Sequence, residues 1–309
     1  MKKLLYFVLL IAGISSVYSC KDMTDEEGNP LLDLNDNTGL IGPRALNREV
    51  TDNGTIAEYD YNGLLLTRVR TPKNSTTNID WSGDKISKIS FNGFLDVDGD
   101  GIIDDDSISY TQQYTYGNFG RVTLISENRS VYKRGVPVPP STVGDFELFA
   151  KTKALYNLTY SATTGKLVSI DKKRGPDLTG LQLVYNEYAK TTYTYLGDNV
   201  DEVNKQVGVI IGGVNEPPVQ NYSFKFTKYD DKINAYTLLP FAYKINVLIS
   251  GEVNDNRSMI LSPNNPGRWS VTDLTKPVPP TTIFFSDFRY DPQTYITQGY
   301  AVNYFYKPM

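Results

Sequence analysis

Tyr114-Thr115-Tyr116 is followed by Gly120-Arg121-Val122 and then by Ile125: an aromatic strand end, a glycine turn, and a returning strand. That return carries a basic residue, a hydrophobic one and an isoleucine three positions on. The same form recurs in Trp81-Ser82-Gly83-Asp84-Lys85-Ile86 with Ile89, and in Leu158-Thr159-Tyr160 with Gly165-Lys166-Leu167 and Ile170. It recurs again in Tyr193-Thr194-Tyr195 with Gly197, Val200 and Val203. Between residues 85–91, 107–116, 121–126, 190–195 and 222–226, apolar and polar side chains alternate in short runs bounded by Gly, Asn, Asp and Pro. This is the signature of antiparallel strands joined by tight turns. One hairpin cannot bury its apolar face alone, so neighbouring copies must stack to build a core. The expected fold is all-β: a large antiparallel meander of repeated β-hairpins, curved or partly closed into a barrel-like shape so that its edges are blunted. No amphipathic helix longer than about three turns is evident.

The composition narrows the chemistry. The 309 residues include no histidine, which removes Ser-His-Asp and Cys-His catalysis and every histidine-ligated metal site. The single cysteine, Cys20, rules out intrachain disulfides and thiolate metal clusters.

The N-terminus combines Lys2 and Lys3, an apolar run from Leu4 to about Gly13, and Ser19 before Cys20. These are the parts of a secretory signal peptide, expected over residues 1–19. A run of this length is too short to span a bilayer. Val17-Tyr18-Ser19-Cys20 resembles the lipobox of bacterial lipoproteins, which implies that the Cys20 thiol is alkylated by diacylglycerol and becomes the first mature residue. Several acyl chains on one residue anchor a protein stably to a membrane. Lys21, Asp22, Asp25, Glu26 and Glu27 resemble the acidic tag that directs Bacteroidota lipoproteins to the outer surface. The expected location is therefore the outer membrane, lipid-anchored, at the cell surface in preference to the periplasmic face. Loss of Lys2 and Lys3 leaves 29 basic against 35 acidic side chains, a net of −6. Nucleic acid, whose binding needs a cationic surplus, is not an expected partner.

Residues 20–50 are polar and rich in Asp, Asn, Gly and Pro, and read as a lipidated tether; residues 51–309 read as the β domain. Residues 204–221, with the Gly/Pro-rich connection 213–218, are the alternative internal boundary. The aromatic, Gly and Arg/Lys-hydrophobic-x-x-Ile pattern resembles the degenerate YD repeats of RHS-like proteins, as found in Bacteroidota surface lipoproteins of unknown function. Tyr229-Asp230-Asp231-Lys232-Ile233-Asn234-Ala235-Tyr236, Ser262-Pro263-Asn264-Asn265-Pro266 and Phe288-Arg289-Tyr290-Asp291 share that likeness. The resemblance implies an antiparallel β fold and a cell-envelope role, and it supplies no catalytic residues.

The sharpest chemical motif is Asp96-Val97-Asp98-Gly99-Asp100-Gly101-Ile102-Ile103-Asp104-Asp105-Asp106, which matches the start of an EF-hand-like calcium loop. Asp96, Asp98 and Asp100 would offer carboxylates, Ile102 its carbonyl, and Asp104 a ligand directly or through water. Ser107 stands where a bidentate acid is wanted, leaving Asp106 as a substitute. A solvated acidic loop is the alternative, although no neighbouring lysine offsets the aspartates in the sequence. Exposed tyrosines could stack on sugar rings, or simply fill half-buried sheet positions. The expected function is non-catalytic binding or scaffolding, of polysaccharide or of another envelope protein. The alternatives are a glycan hydrolase using two carboxylates and a purely structural RHS-like envelope protein. Isothermal titration should show weak calcium uptake that disappears in the double variant Asp98→Ala/Asp100→Ala.

Overall fold

The computed structural model of the chain describes residues 44–97, 102–137, 144–252 and 254–308. Cys20, the expected leader 1–19, and Asp98 and Asp100 of the acidic loop lie outside them. The strands are β1 (Arg44–Thr51), β2 (Gly54–Asn62), β3 (Leu65–Thr71), β4 (Ser75–Ser82), β5 (Lys85–Phe94), β6 (Ser107–Tyr116), β7 (Val122–Arg134), β8 (Phe146–Tyr160) and β9 (Leu167–Pro176). They continue as β10 (Glu187–Leu196), β11 (Asn199–Ile211), β12 (Val214–Asn215), β13 (Gln220–Tyr229), β14 (Pro266–Asp273), β15 (Thr281–Phe285), β16 (Arg289–Tyr290), β17 (Ile296–Gly299) and β18 (Val302–Pro308). One antiparallel meander runs from β2 through β11 to β13, β14 and β15, while β1 pairs with both β2 and β18. The expected all-β hairpin meander is the fold observed.

The repeat pattern has a specific structural cause. In a regular strand, residues i and i+3 face opposite sides, yet Leu66 and Val69, Ile86 and Ile89, Val122 and Ile125, Leu167 and Ile170, and Val200 and Val203 are all buried in one core. A β-bulge reconciles the two. The ladder shifts register as it reaches the aromatic residue of each hairpin, pairing Tyr61 with Leu66, Trp81 with Ile86, Tyr116 with Val122, Tyr160 with Leu167, and Tyr195 with Val200. The extra residues are Thr67, Ser87, Thr123, Val168 and Asp201. Three of them turn a hydroxyl onto the opposing strand: Thr67 donates to the Asp60 carbonyl (3.2 Å), Ser87 to Asp80 (3.1 Å) and Thr123 to Thr115 (3.4 Å). Inserting one residue restores the inward direction, so the i, i+3 spacing in the sequence encodes a bulge.

Between hairpins, the ladder stops short of the turn. The β3–β4 pairing ends at Arg68 and Asn78, β5–β6 at Lys88 and Gln113, and β7–β8 at Leu124 and Asn157. The carbonyls of Leu66, Ile86 and Val122 are thus left beyond the last pair, where a buried acceptor needs a partner. The repeat aromatics supply it. Trp81 donates its indole N–H to Leu66 (2.8 Å), Tyr116 its hydroxyl to Ile86 (2.8 Å), and Tyr160 its hydroxyl to Val122 (2.7 Å). Tyr61 to Leu46 (2.9 Å) and Tyr229 to Val200 (2.6 Å) extend the series on both sides. Each position therefore needs an aromatic with a polar tip, which Phe lacks.

The sheet curves around a short internal segment. Helix α1 (Phe241–Ile249) buries Ala242, Tyr243, Lys244, Ile245, Asn246, Leu248 and Ile249, so nearly its whole circumference is covered. Its neighbours come from widely separated strands. Tyr243 meets Tyr59 of β2 edge-on, Asn246 bonds Tyr110 and Gln112 of β6 (2.9 and 3.1 Å), and Phe241 packs on Tyr160 of β8. The following 3-10 turn, Asn254–Leu261, sends Asp255 to Thr191 of β10 and Lys205 of β11. A helix buried all round need not show an amphipathic stripe, so it leaves little periodic signal.

The pairing series ends at β15, which pairs with β14, and at β16, which pairs with β17; among the described residues no ladder joins β15 to β16. Turn and side-chain bonds link that region: Ser286 N–H to Gly267 O (3.2 Å), Tyr300 N–H to Ser286 Oγ (2.7 Å), and the Tyr290 hydroxyl to Asp230. The outward face is polar along β4, β5 and β6, whereas Phe149 of β8, Val209 and Ile211 of β11 and Phe285 of β15 are exposed apolar positions. In β6, buried Ile108, Tyr110, Gln112 and Tyr114 alternate with Ser109, Thr111, Gln113 and Thr115, while β4, β5 and β8 present Asp80, Lys88 and Lys151 outward.

Two boundaries differ from the sequence reading. The sheet begins at Arg44, inside the stretch expected as tether, because Arg44 is buried in an ion pair with Asp291 and Leu46 joins the core. The alternative boundary at 204–221 falls within β11 and β13, which pair from Glu202–Lys225 to Val207–Gln220, so the sheet runs through it. By urea denaturation, Ile89→Ala should cost about 2–5 kcal/mol through the cavity it leaves. Tyr160→Phe should cost about 1–3 kcal/mol by orphaning the Val122 carbonyl.

Candidate functional site

The turns β2–β3, β4–β5, β6–β7, β8–β9 and β10–β11 all emerge at one end of the sheet, and four of them surround a cavity of about 840 Å³. Its aromatic lining is Trp81, Tyr116, Phe119, Tyr160, Tyr195 and Phe241. Its charged lining is Lys85, Arg121 and Lys166 with Asp84 and Asp198. The repeat thus delivers one aromatic from each of the four turns to the same rim, with a cation from three of them and Asp198 from the fourth. Phe119 comes from outside the repeat positions. It sits in the β6–β7 turn at φ 60° and is 91% exposed, a cost in burial that nothing in the core repays.

The cations sit on the next hairpin's rings. Lys85 lies 5.5 Å from the Tyr116 centroid, Arg121 5.5 Å from Tyr160 and 5.6 Å from Phe119, and Lys166 5.3 Å from Tyr195. These are cation–π distances. Lys166 also bonds Asp198 (2.8 Å) and the Gly197 carbonyl, and this lysine beside Asp198 holds its carboxyl below the usual range. Burial raises the Tyr160 hydroxyl well above its ordinary value and Tyr195 to about 12, so both stay neutral donors at physiological pH. The floor is the start of α1, whose cap residue Pro240 makes no side-chain hydrogen bond.

Deeper in, charged groups are matched with each other. Glu127 takes Arg129 (2.9 Å) and Gln112 (2.7 Å), Asp255 takes Lys205, and Glu252 takes Lys172 (3.3 Å) and Arg174. Burial pushes the Lys172 ammonium down to about 8 against the pull of Glu252. Burial works to raise Glu252, but Lys172 and Arg174 beside it hold its carboxyl at about 2. A general acid needs the opposite shift.

The acidic loop connects β5 to β6 at the other end of the sheet from this mouth, as a hairpin tip. Asp104 accepts the Val97 N–H (2.9 Å), and Asp106 lies 3.5 Å from Lys133. Lys73, distant in sequence, donates to the carbonyls of Ile103 and Asp104 and pairs with Asp105 (2.9 Å). Lysines from β7 and the β3–β4 turn therefore offset the loop's charge, which the local sequence did not reveal. Among the described residues no group of three or more acidic side chains converges on a metal position. Asp96, Ile102, Asp104 and Asp106 are described and do not form such a group. The sequence motif thus points to one end of the sheet, whereas the aromatic cavity forms at the other. Its signal in the sequence was the repeat itself, whose aromatics and cations share a face once the hairpins stack.

No protein-family model matches the chain, and no curated protein does. Among solved structures, a porin-like protein from Bacteroides vulgatus is similar over 86% of this chain and 100% of its own, at 9% identity and a TM-score of 0.47. A second, from Bacteroides uniformis, covers 72% of this chain and 96% of its own at 14% identity and a TM-score of 0.21. Likenesses this distant carry no argument about function.

The Glu252 cluster sets an acid limit on stability. Its folded-state pKa lies below the unfolded value of 4.5, so its contribution is present above about pH 4.5 and is lost as the pH falls towards 2. The stability difference between wild type and Glu252→Gln, followed by urea denaturation, should shrink across that interval.

Proposed function

We propose that the protein is an outer-membrane lipoprotein, held by acyl chains on Cys20 and displayed at the cell surface, that binds polysaccharide at the aromatic mouth without catalysis. The anchor rests on the lipobox-like Val17-Tyr18-Ser19-Cys20. The charged outward positions Asp80, Lys88 and Lys151 support a domain tethered beside the membrane rather than one spanning it. Lys88 or Lys151 facing lipid at the bilayer midplane would each cost about 2–4 kcal/mol. Among the described residues, no helix is long and apolar enough to cross a membrane either.

The single observation that carries the binding role is the cluster of half-buried and exposed aromatic side chains lining the mouth cavity. Its size suits a few sugar rings, and the half-buried and exposed rings of Trp81, Phe119 and Phe241 offer flat apolar faces beside polar donors. For the competing hydrolase, two opposed carboxylates would be wanted. Here Asp198 is held by Lys166 with its pKa lowered, and the deeper acids are matched by Lys and Arg. A second reading, a structural envelope protein, is favoured by one observation: the polar tips of Trp81, Tyr116 and Tyr160 are already engaged as struts between hairpins. Calcium at the acidic loop is a separate proposal that rests on Asp96, Asp98 and Asp100.

A thermal-melt screen of the protein against envelope and dietary polysaccharides, run in calcium, separates these readings, because a ligand of the native state raises the midpoint. A glycan that raises it should lose its effect in Phe119→Ala, whose side chain holds no structural position. Shortening of that glycan would favour the hydrolase, and no shift with any glycan would favour the structural role.

A further inference from the structure

We infer that the mouth selects an acidic glycan, one whose sugars carry a carboxylate or a sulfate ester, with the anion seated on Arg121 and Lys85 and the rings stacked on the neighbouring aromatics. This deepens the polysaccharide-binding reading above and rests on it.

The first ground is a difference between the interior and the mouth. Inside the sheet, Arg44, Arg129, Arg174 and Lys205 are each matched to a carboxylate (Asp291, Glu127, Glu252 and Asp255), while buried Lys244 is held by the Thr237 carbonyl. At the mouth, Lys166 is likewise taken by Asp198 (2.8 Å). Arg121 and Lys85 have aromatic partners only, and among the described residues neither forms an ion pair. In a mature chain with a net charge of −6, acidic side chains are not scarce. Two cations lining one cavity without a carboxylate partner are therefore available to an anion from outside.

The second ground is geometric. The Arg121 guanidinium lies over the Phe119 and Tyr160 rings at 5.6 and 5.5 Å, a contact that leaves its N–H groups able to donate. A guanidinium fork pairs bidentately with carboxylate or sulfate oxygens. Lys85 reaches the same cavity from the preceding turn, over Tyr116. Asp84, exposed at the tip of the β4–β5 turn, is the acidic lining group that opposes them. The third ground is the floor. The first turn of α1 lines the cavity with no side-chain cap at Pro240, and the positive end of a helix favours an anion.

The test is isothermal titration of the full chain in detergent with a matched panel: oligogalacturonate, its neutral methyl ester, a sulfated galactan and a neutral galactan. Binding of the oligogalacturonate or the sulfated galactan at least tenfold tighter than its neutral counterpart supports the inference, and which of the two binds identifies the anion. That preference should fall at least tenfold in Arg121→Gln and severalfold in Lys85→Gln, an exposed position whose replacement leaves the fold intact. Salt should weaken acidic binding more than neutral binding. Equal binding of acidic and neutral members, or a preference that survives both substitutions, overturns the acidic-glycan inference while the polysaccharide reading stands. Binding of no member, with an unchanged melting midpoint for both variants, overturns both.

Discussion

The structure depends on how one hairpin is joined to the next. Within a hairpin the ladder is continuous to the turn, but between hairpins it stops early and leaves a buried carbonyl without a strand partner. A Trp or Tyr from the following hairpin closes that gap with its polar tip while its ring fills the space between strands. Its pairing partner is bulged, which turns both hydrophobic residues of the i, i+3 pair to the core. One set of side chains thereby satisfies a hydrogen bond, sets a register and covers apolar surface. The repeat is degenerate in identity because only these physical requirements need to be met.

The curvature that follows creates an interior, and the interior has to be filled. Helix α1 and the 3-10 turn after it do so with apolar side chains and with polar ones matched to the wall. Asn246 meets Tyr110 and Gln112, Glu252 meets Lys172 and Arg174, and Asp255 meets Lys205. A buried charge is tolerated when paired, and removing one partner leaves the other exposed to the full cost of desolvation. These pairs tie a segment near residue 250 to strands far away in sequence, and so set the orientation of the helix whose start forms the floor of the mouth.

The mouth is a by-product of the repeat geometry. Strut aromatics and turn cations must lie at the turn end of the hairpins, and stacking the hairpins places them side by side. Phe119 stands apart because it serves no strut and no core. Arg121 and Lys85, which form no ion pair among the described residues, stand apart in the same way from the interior pairs of Arg129, Arg174 and Lys205.

Much of this was legible in the amino-acid sequence. The period of glycine turns, the aromatic at each strand end and the Val/Ile spacing determined an antiparallel hairpin meander, because those patterns act within a few residues of each other. The leader-like run 1–19 and the lipobox-like stretch ending at Cys20 are local patterns of the same kind. What tertiary structure decided was contact between distant residues. Strand formation at Arg44 follows from its burial against Asp291, and continuity through 204–221 from the pairing of β11 with β13. Lys73 of the β3–β4 turn and Lys133 of β7 temper the acidic loop, which its own sequence neighbours do not show. The internal helix is only nine residues long and covered on nearly every side, and a short apolar run of that kind cannot be told from a buried strand by periodicity. The aromatic cavity was invisible for a related reason: the sequence set which side chains each turn carries, but only the stacking and curvature of the sheet brought them to one rim.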